Sequence, residues 1–460
     1  MALLIKNGEI ITPSERFIAD IFCENEKVTR IGPGLEAPKG ATVVDARGKY
    51  VFPGFIDPHV HIYLPFMGTF AKDTYETASK AALAGGTTTL IEMCCPSRND
   101  QLLESYQLWL SKAEGKSACD FTFHMGVSRY DDKAEAELRE IVKAGISSFK
   151  IFLAYKNFFG VTDTELYHVL RLAKELGVIV TAHCENPDLV AELQKKLLAE
   201  GKTEPKWHYW SRPPSVEAEG VHHLATFAEM HDTHVYCVHT SCKESLRAAI
   251  RAKERGVKMW VETLIQYLTL DMTYAELPKF EGSKFVMSPP LRDKSNQEVY
   301  WNALRQGMVS TVATDHAPFD FKGQKVMGKV DFTKIPNGIP SLEDRMTVLY
   351  TRGVCEGKLD LHQFVDCGST QAAKLFGLFP RKGTIAVGAD ADLVVWDPKY
   401  RGKISVKKQH MAVDYNPFEG WEIKGRPHIV TVRGEVAAMN GKFCGTIGRG
   451  KLIKREPNHF

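Results

Sequence analysis

No apolar run in the 460 residues is long enough to cross a bilayer, so an integral membrane role is not expected. Charge of one sign is also missing. The 59 basic and 56 acidic residues nearly cancel to +3, and a local pair such as Lys407-Lys408 reads as solvated surface, so nucleic acid is not an expected partner. Ten cysteines are present without the regular spacing of a disulfide scaffold, and several, such as Cys94 and Cys237, sit in apolar runs. They read as reduced structural thiols. Residues 1–11 alternate polar and apolar side chains and lack the charged start and long apolar core of a secretory signal, so a cytoplasmic location is expected. Low-complexity segments, internal repeats of about 20–50 residues and a Gly-rich phosphate turn after the first strand are absent too. The last absence argues against an open dinucleotide-binding sheet.

What remains is an ordinary enzyme-like composition, 44% apolar and 25% charged, in a chain longer than one core usually organises. Residues 1–52 read as short strands, Leu3 to Ile11, Phe17 to Phe22, Val28 to Ile31 and Ala41 to Val44, punctuated by Asn7-Gly8 and Pro33-Gly34. From Tyr50 apolar strands alternate with amphipathic helices. Eight strands are expected: Val51 to His61, Thr87 to Cys95, Asp120 to Val127, Ser147 to Ala154, Val178 to Cys184, His234 to His239, Met259 to Ile265 and Ser310 to Asp315. The helices between them include Thr74 to Ala84 and Asp163 to Leu176, the second with Asp163 as its N-cap. Eight βα units predict an α/β fold, a (β/α)₈ barrel of the TIM type over residues 53–378. Strands return at Ala391 to Trp396 and Val430 to Val436, with Gly388 and Gly434 as turn residues, so residues 1–52 and 379–460 are expected to share a smaller β-sandwich-like domain.

The first barrel strand ends Asp57-Pro58-His59-Val60-His61. Side chains alternate along a strand, so His59 and His61 face one side, the barrel interior at the C-terminal mouth. His183, His239 and Asp315 close three further strands. Any one of these histidines alone is compatible with a hydrogen-bonded core residue, but four imidazoles and a carboxylate converging on one barrel end suit a two-metal site. Lys150 lies inside Ser-Ser-Phe-Lys-Ile-Phe, where an ammonium is costly to bury. It either reaches solvent or is chemically modified into an anionic ligand.

Gly54-Phe55-Ile56-Asp57-Pro58-His59-Val60-His61, Gly85-Gly86-Thr87-Thr88-Thr89, Ser148-Phe149-Lys150 and Lys382-Gly383-Thr384-Ile385 give the chain its resemblance. It resembles, over essentially its whole length, the D-hydantoinase and dihydropyrimidinase branch of the amidohydrolase superfamily. The resemblance implies two zinc ions per subunit, with manganese or cobalt able to occupy the same donors, and a carbamate on Lys150 bridging them. His59, His61 and Asp315 would hold one ion, and His183 and His239 the other. A water shared by two zinc ions has a pKa lowered toward neutrality, and Asp315 would orient it, accept its proton and return that proton to the departing amide nitrogen. Tyr155 matches the tyrosine that donates to the substrate carbonyl. Ser288 and Asn337 match positions whose main chain holds the cyclic amide, and Leu64, Phe152 and Phe159 match the apolar side of the pocket. A homotetramer is implied as well.

The substrate class implied is a small cyclic amide, a 5-substituted hydantoin or a dihydropyrimidine. Allantoin is the alternative. A dihydroorotase would need an arginine two positions after His61, where Tyr63 stands. A non-catalytic scaffold of the same fold would be expected to have lost ligands that this chain keeps. His124, His208, His222, His223, His231 and His234 read as surface or structural, and His316 should turn away from its neighbour Asp315. One departure stands out: relatives commonly carry Cys-Pro-Gln-Tyr where this chain has Leu264-Ile265-Gln266-Tyr267, which leaves that loop's geometry unspecified.

Overall fold

Residues 2–457 are described in the computed structural model, and two sheets carry the architecture. The N-terminal alternation gives β1 (Ala2–Ile11), β2 (Arg16–Glu24) and β3 (Lys27–Gly32), paired antiparallel, with β4 (Thr42–Asp45) parallel to β1. The segment expected as one strand from Val51 to His61 is two. β5 (Tyr50–Pro53) pairs with β1 in a nine-stranded sheet, whereas β6 (Phe55–Val60) opens the barrel. The chain changes sheets at Gly54, whose N–H donates to the Asp392 carbonyl at 2.8 Å. A Cβ at that position would lie 2.1 Å from Thr88 Oγ1, so the close passage requires glycine.

After β6 a short hairpin of β7 (Pro65–Phe66) and β8 (Thr69–Phe70) overhangs the mouth. The remaining barrel strands are β9 (Thr87–Cys94), β10 (Asp120–Gly126), β11 (Ser148–Phe152), β12 (Ile179–His183), β13 (Val235–Cys237), β14 (Met259–Leu264) and β15 (Thr311–Ala313). They pair parallel in chain order. A parallel bridge from Val60 to His316, with the His61 N–H donating to the His316 carbonyl at 2.8 Å, joins the last strand to the first. Helices cover the outside, so both faces of nearly every strand are buried and the strands read as near-continuous apolar runs.

Helix Tyr75–Ala84 starts from Thr74 as its N-cap. In helix Asp163–Leu176 the cap is Thr162, not Asp163: Thr162 accepts from the Glu165 N–H while Glu165 reaches back to the Thr162 N–H at 2.7 Å. That reciprocal pair satisfies two helix-end donors, and Asp163 becomes the first helical residue.

The C-terminal segment adds β16 (Leu393–Lys403), β17 (Glu422–Val432), β18 (Glu435–Met439) and β19 (Lys442–Phe443) to the sheet of β1–β5. The strand expected from Val430 to Val436 is therefore a hairpin. Arg433 and Gly434 both take left-handed φ values, 46° and 78°, as a two-residue turn demands. Phe52, Phe55, Phe364 and Trp396 interlock where the two sheets meet, with Phe55 edge-on to Phe364 at 5.3 Å and to Trp396 at 6.3 Å. Each such ring stabilises the junction by about 1.5–3 kcal/mol through burial. Residues 451–455 return to the barrel base, where the Ile453 N–H donates to the Phe121 carbonyl and Arg455 is wholly buried.

Candidate active site

Strand alternation delivers the expected side chains to one end of the barrel. His59 Nε2 and His61 Nε2 lie 3.1 and 3.0 Å from the same Asp315 oxygen, and the three residues offer ligand atoms within 4.8 Å of one another. Opposite them, His183 Nδ1 faces His239 Nε2 at 3.0 Å, and the His239 ring lies 5.2 Å from that of His59. Two nitrogens bound to one tetrahedral zinc would stand roughly 3.4 Å apart, close to this spacing. Lys150, in the middle of β11, is wholly buried, and its Nζ has no hydrogen-bond partner among the described residues. The lysine does not reach solvent.

Burial shifts these groups toward their ligating forms. Burial lowers the pKa of the Lys150 amine against the pull of Asp315. It also brings His61 down to about 4, His183 below its ordinary value and His239 well below it. For Asp315, burial alone would raise the pKa, but His59 and His61 hold the carboxyl well below the usual range. The neutral forms of His61, His183 and His239, the Asp315 carboxylate and a neutral amine are a donor set suited to divalent zinc.

Sequence reasoning missed the carboxylates behind this set. Glu262, on β14, accepts from His59 Nδ1 at 2.7 Å and from the His239 N–H at 2.9 Å, fixing both histidines at once. Against the cost of burial, Glu262 and then Asp315 raise the His59 pKa. Glu185 pairs with His183 Nε2 at 2.8 Å and with Arg212. A glutamate inside the apolar run Met259–Leu264 and another two residues after His183 were the available signals.

A small cavity of about 40 Å³ is lined by His61, His183, His239 and Asp315, and by the expected Leu64, Phe152, Phe159, Tyr155, Ser288 and Asn337. Phe66 on β7, not foreseen, completes its apolar side, stacked on Phe159 at 6.0 Å and edge-on to Tyr155 at 5.5 Å. Outside it opens a cleft of about 990 Å³ that shares Phe66, Tyr155 and Asn337. Tyr155, His239 and Asp315 all have left-handed φ values of 59°, 39° and 47°, backbone strain concentrated where the side chains converge.

The Ser288 and Asn337 segments are hydrogen-bonded in a telling pattern. Val286 O accepts from the Gly338 N–H, Met287 O from His208, Pro289 O from Tyr267, and Pro336 O and Gly338 O from Lys325. Among the described residues, none donates to or accepts from the main chain of Ser288 or Asn337. Their side chains bond each other, Asn337 Nδ2 to Ser288 Oγ at 3.0 Å. Two peptide units thus keep donors and acceptors free at the cavity wall.

His208 is buried against Met287 O and Ser288 Oγ, and His124 is buried between Ser148 Oγ and Pro58 O. His316 turns outward to Asp73 at 2.9 Å, as alternation predicts. Tyr63 packs on Trp109 and under Lys112 rather than on the cavity. In the divergent loop, residues 265–269 form a short helix, with Gln266 donating to the Thr314 carbonyl at 2.7 Å. All ten cysteines are free and eight are buried. No helix among the described residues is long and apolar enough to cross a membrane.

Residues 50–437 match the model of the amidohydrolase family. The chain is 47% identical to a D-hydantoinase of Geobacillus stearothermophilus, over 99% of this chain and 97% of that protein. It is 40% identical to a dihydropyrimidinase of Rattus norvegicus, over 99% and 89%. The solved structure of a D-hydantoinase (dihydropyrimidinase) from a Thermus species superposes with a TM-score of 0.98 at 67% identity, covering all of both chains.

Proposed function

Because this chain belongs to the amidohydrolase family and is a hydrolase of cyclic amides, we propose that it opens 5-substituted hydantoins, dihydropyrimidines or both. Hydantoins would yield N-carbamoyl amino acids. The observation that carries this reading is the cluster of His59, His61 and Asp315, with His239 and His183 beside it, in a barrel whose buried Lys150 Nζ is unpaired.

His59, His61 and Asp315 would hold one zinc ion and His183 and His239 the other, with Lys150 between them as a carbamate. The fit rests on the lowered pKa of His61, His183 and His239, the unpaired Lys150 Nζ, and the buried amine's lowered pKa, since the neutral amine is the form that takes up carbon dioxide. When bound, two zinc ions lower the pKa of a water toward neutrality and polarise a carbonyl. Manganese or cobalt would suit the same donors. Asp315, lining the cavity, orients the attacking water, takes its proton and passes it to the amide nitrogen as the ring C–N bond breaks. Tyr155 donates its hydroxyl proton in a hydrogen bond to the carbonyl oxygen as that oxygen gains charge. The unspent peptide groups of Ser288 and Asn337 hold the amide edge, and Leu64, Phe152 and Phe159 meet the ring substituent. The division at residues 52/53 and 378/379, a homotetramer and a cytoplasmic location belong to the same proposal.

The test is ring opening of dihydrouracil and of a racemic 5-substituted hydantoin by zinc-loaded protein and by Lys150→Ala, with bound metal quantified. The expected result is turnover of at least one ring by the parent and loss of both metal and activity in the variant. A parent that binds zinc and opens neither ring overturns the substrate assignment.

A further inference from the structure

Lys325 is wholly buried, yet it contacts no carboxylate in the structure and lies outside the metal-ligand cluster. Its Nζ donates to three main-chain carbonyls: Val286 at 2.9 Å, Pro336 at 2.6 Å and Gly338 at 2.7 Å. The three acceptors match the three N–H donors of an ammonium and stand against the burial that drives the Lys325 pKa well below its ordinary value. Val286 lies two residues before Ser288, and Pro336 and Gly338 flank Asn337 on either side. One side chain therefore ties together the two segments whose free peptide groups face the cavity. Burying a charge costs several kcal/mol unless it is hydrogen-bonded, and here the bonds go to backbone that a hydrophobic side chain could not hold.

We propose that Lys325 is a positioning residue for substrate binding: its Nζ, bonded to three carbonyls, fixes the spacing of the Ser288 and Asn337 main chains that grip the cyclic amide. The idea rests on the reading above that these two peptide units hold the substrate. The neighbouring residue adds to the clamp. Gln324 Nε2 donates to Thr69 Oγ1 and to the Phe70 carbonyl, both at 2.8 Å, so residues 324–325 gather three segments of the mouth. The 3₁₀ turn that carries Lys325, Lys325–Gly328, is held shut by close packing: a Cβ on Gly328 would lie 2.2 Å from the Ile335 side chain.

The consequence is a separation of effects. Lys325 touches neither the proposed metal ligands nor Tyr155, so its loss should loosen substrate binding while leaving the metal in place. The test compares Lys325→Met, which keeps the length and removes the donors, Lys325→Gln, which keeps one donor group, and Lys329→Met, the same change at an exposed site of the same segment. Steady-state kinetics on the ring that the parent opens are combined with bound-zinc measurement and amide hydrogen exchange. The expected outcome for Lys325→Met is a KM raised about tenfold or more, a kcat changed less than KM and zinc unchanged. Faster exchange at the amides of residues 286–288 and 337–339 should accompany it. Lys325→Gln should fall between this variant and the parent, and Lys329→Met should match the parent. If Lys325→Met does not fold, the KM and exchange of Lys325→Gln decide. A KM within twofold of the parent, a KM shift that comes with zinc loss, or unchanged exchange in the two segments overturns the proposal. If the parent opens neither ring, the substrate reading has failed first, and the exchange measurement still tests whether Lys325 holds the two segments.

Discussion

The two ends of the barrel handle buried charge in opposite ways. At the base, where the strands begin and the nine-stranded sheet docks, buried cations each hold several partners. Lys382 Nζ reaches Asp120 at 2.8 Å, Asp392 at 2.6 Å and Asp390 at 3.2 Å, and Asp120 also takes Arg433. Arg455 donates to Thr122, Ser148 and the Phe123 and Phe376 carbonyls. At the mouth, Lys150 Nζ has no hydrogen-bond partner among the described residues, three convergent residues hold left-handed backbone, and the main chains of two cavity-lining residues are unspent. Partnered cations at the base are what stability asks for, and the open valences at the mouth are what a reaction needs.

The contrast can be broken from either side, and the base should give the larger effect. Lys382→Met takes from Asp392 its side-chain cation and from Asp120 and Asp390 one partner each, and should cost about 3–5 kcal/mol, read as a fall in the denaturant midpoint. Its kcat and KM, measured where the variant is folded, should match the parent. A comparable kinetic loss would mean that base and mouth are coupled. Tyr155→Phe should do the reverse, lowering kcat by about 10²–10³-fold while moving the midpoint little. A drop of less than threefold would remove Tyr155 from carbonyl stabilisation.

The smallest effect sharpens the boundary, because Glu185 is a mouth residue that behaves like the base. Burial would raise its pKa, but Arg212 and His183 bring it down to about 2 from an ordinary 4.5. A carboxyl depressed in the folded state contributes stability that is present above the unfolded value and lost as pH falls through the folded one. Between about pH 4.5 and 2 the metal-free parent should therefore lose up to roughly 3 kcal/mol through this group. Acid titration of the unfolding free energy should be shallower in Glu185→Gln across that window, from a lower starting stability. Equal slopes would show that Glu185 titrates alike in both states.

Much of the mouth was legible because barrel strands impose simple rules. Alternation put His59 and His61 on one face and turned His316 away from Asp315, and strand ends located His183 and His239. The misreadings fall where two physical demands compete within a few residues. Val51 to His61 reads as one strand because apolar residues stand on both sides of Pro53-Gly54, and the close passage of Gly54 against Thr88 divides it between sheets. Asp163 and Thr162 are both good caps, and the reciprocal bond to Glu165 chose between them. Glu262 and Glu185 were overlooked because a buried carboxylate acquires its meaning from the partner it meets, 203 residues away in the case of His59.

The sequence by itself determined the alternation of strands and helices and the side of each strand on which the candidate ligands lie, since these follow from periodicity and side-chain chemistry within short windows, and the family resemblance implied the closed barrel. Only the tertiary structure decided which carboxylate steadies which imidazole, that Lys150 has no route to solvent, and that Lys325 joins the Ser288 and Asn337 segments. Those are properties of distance between residues far apart in the chain, and local pattern carries no record of them until the barrel closes.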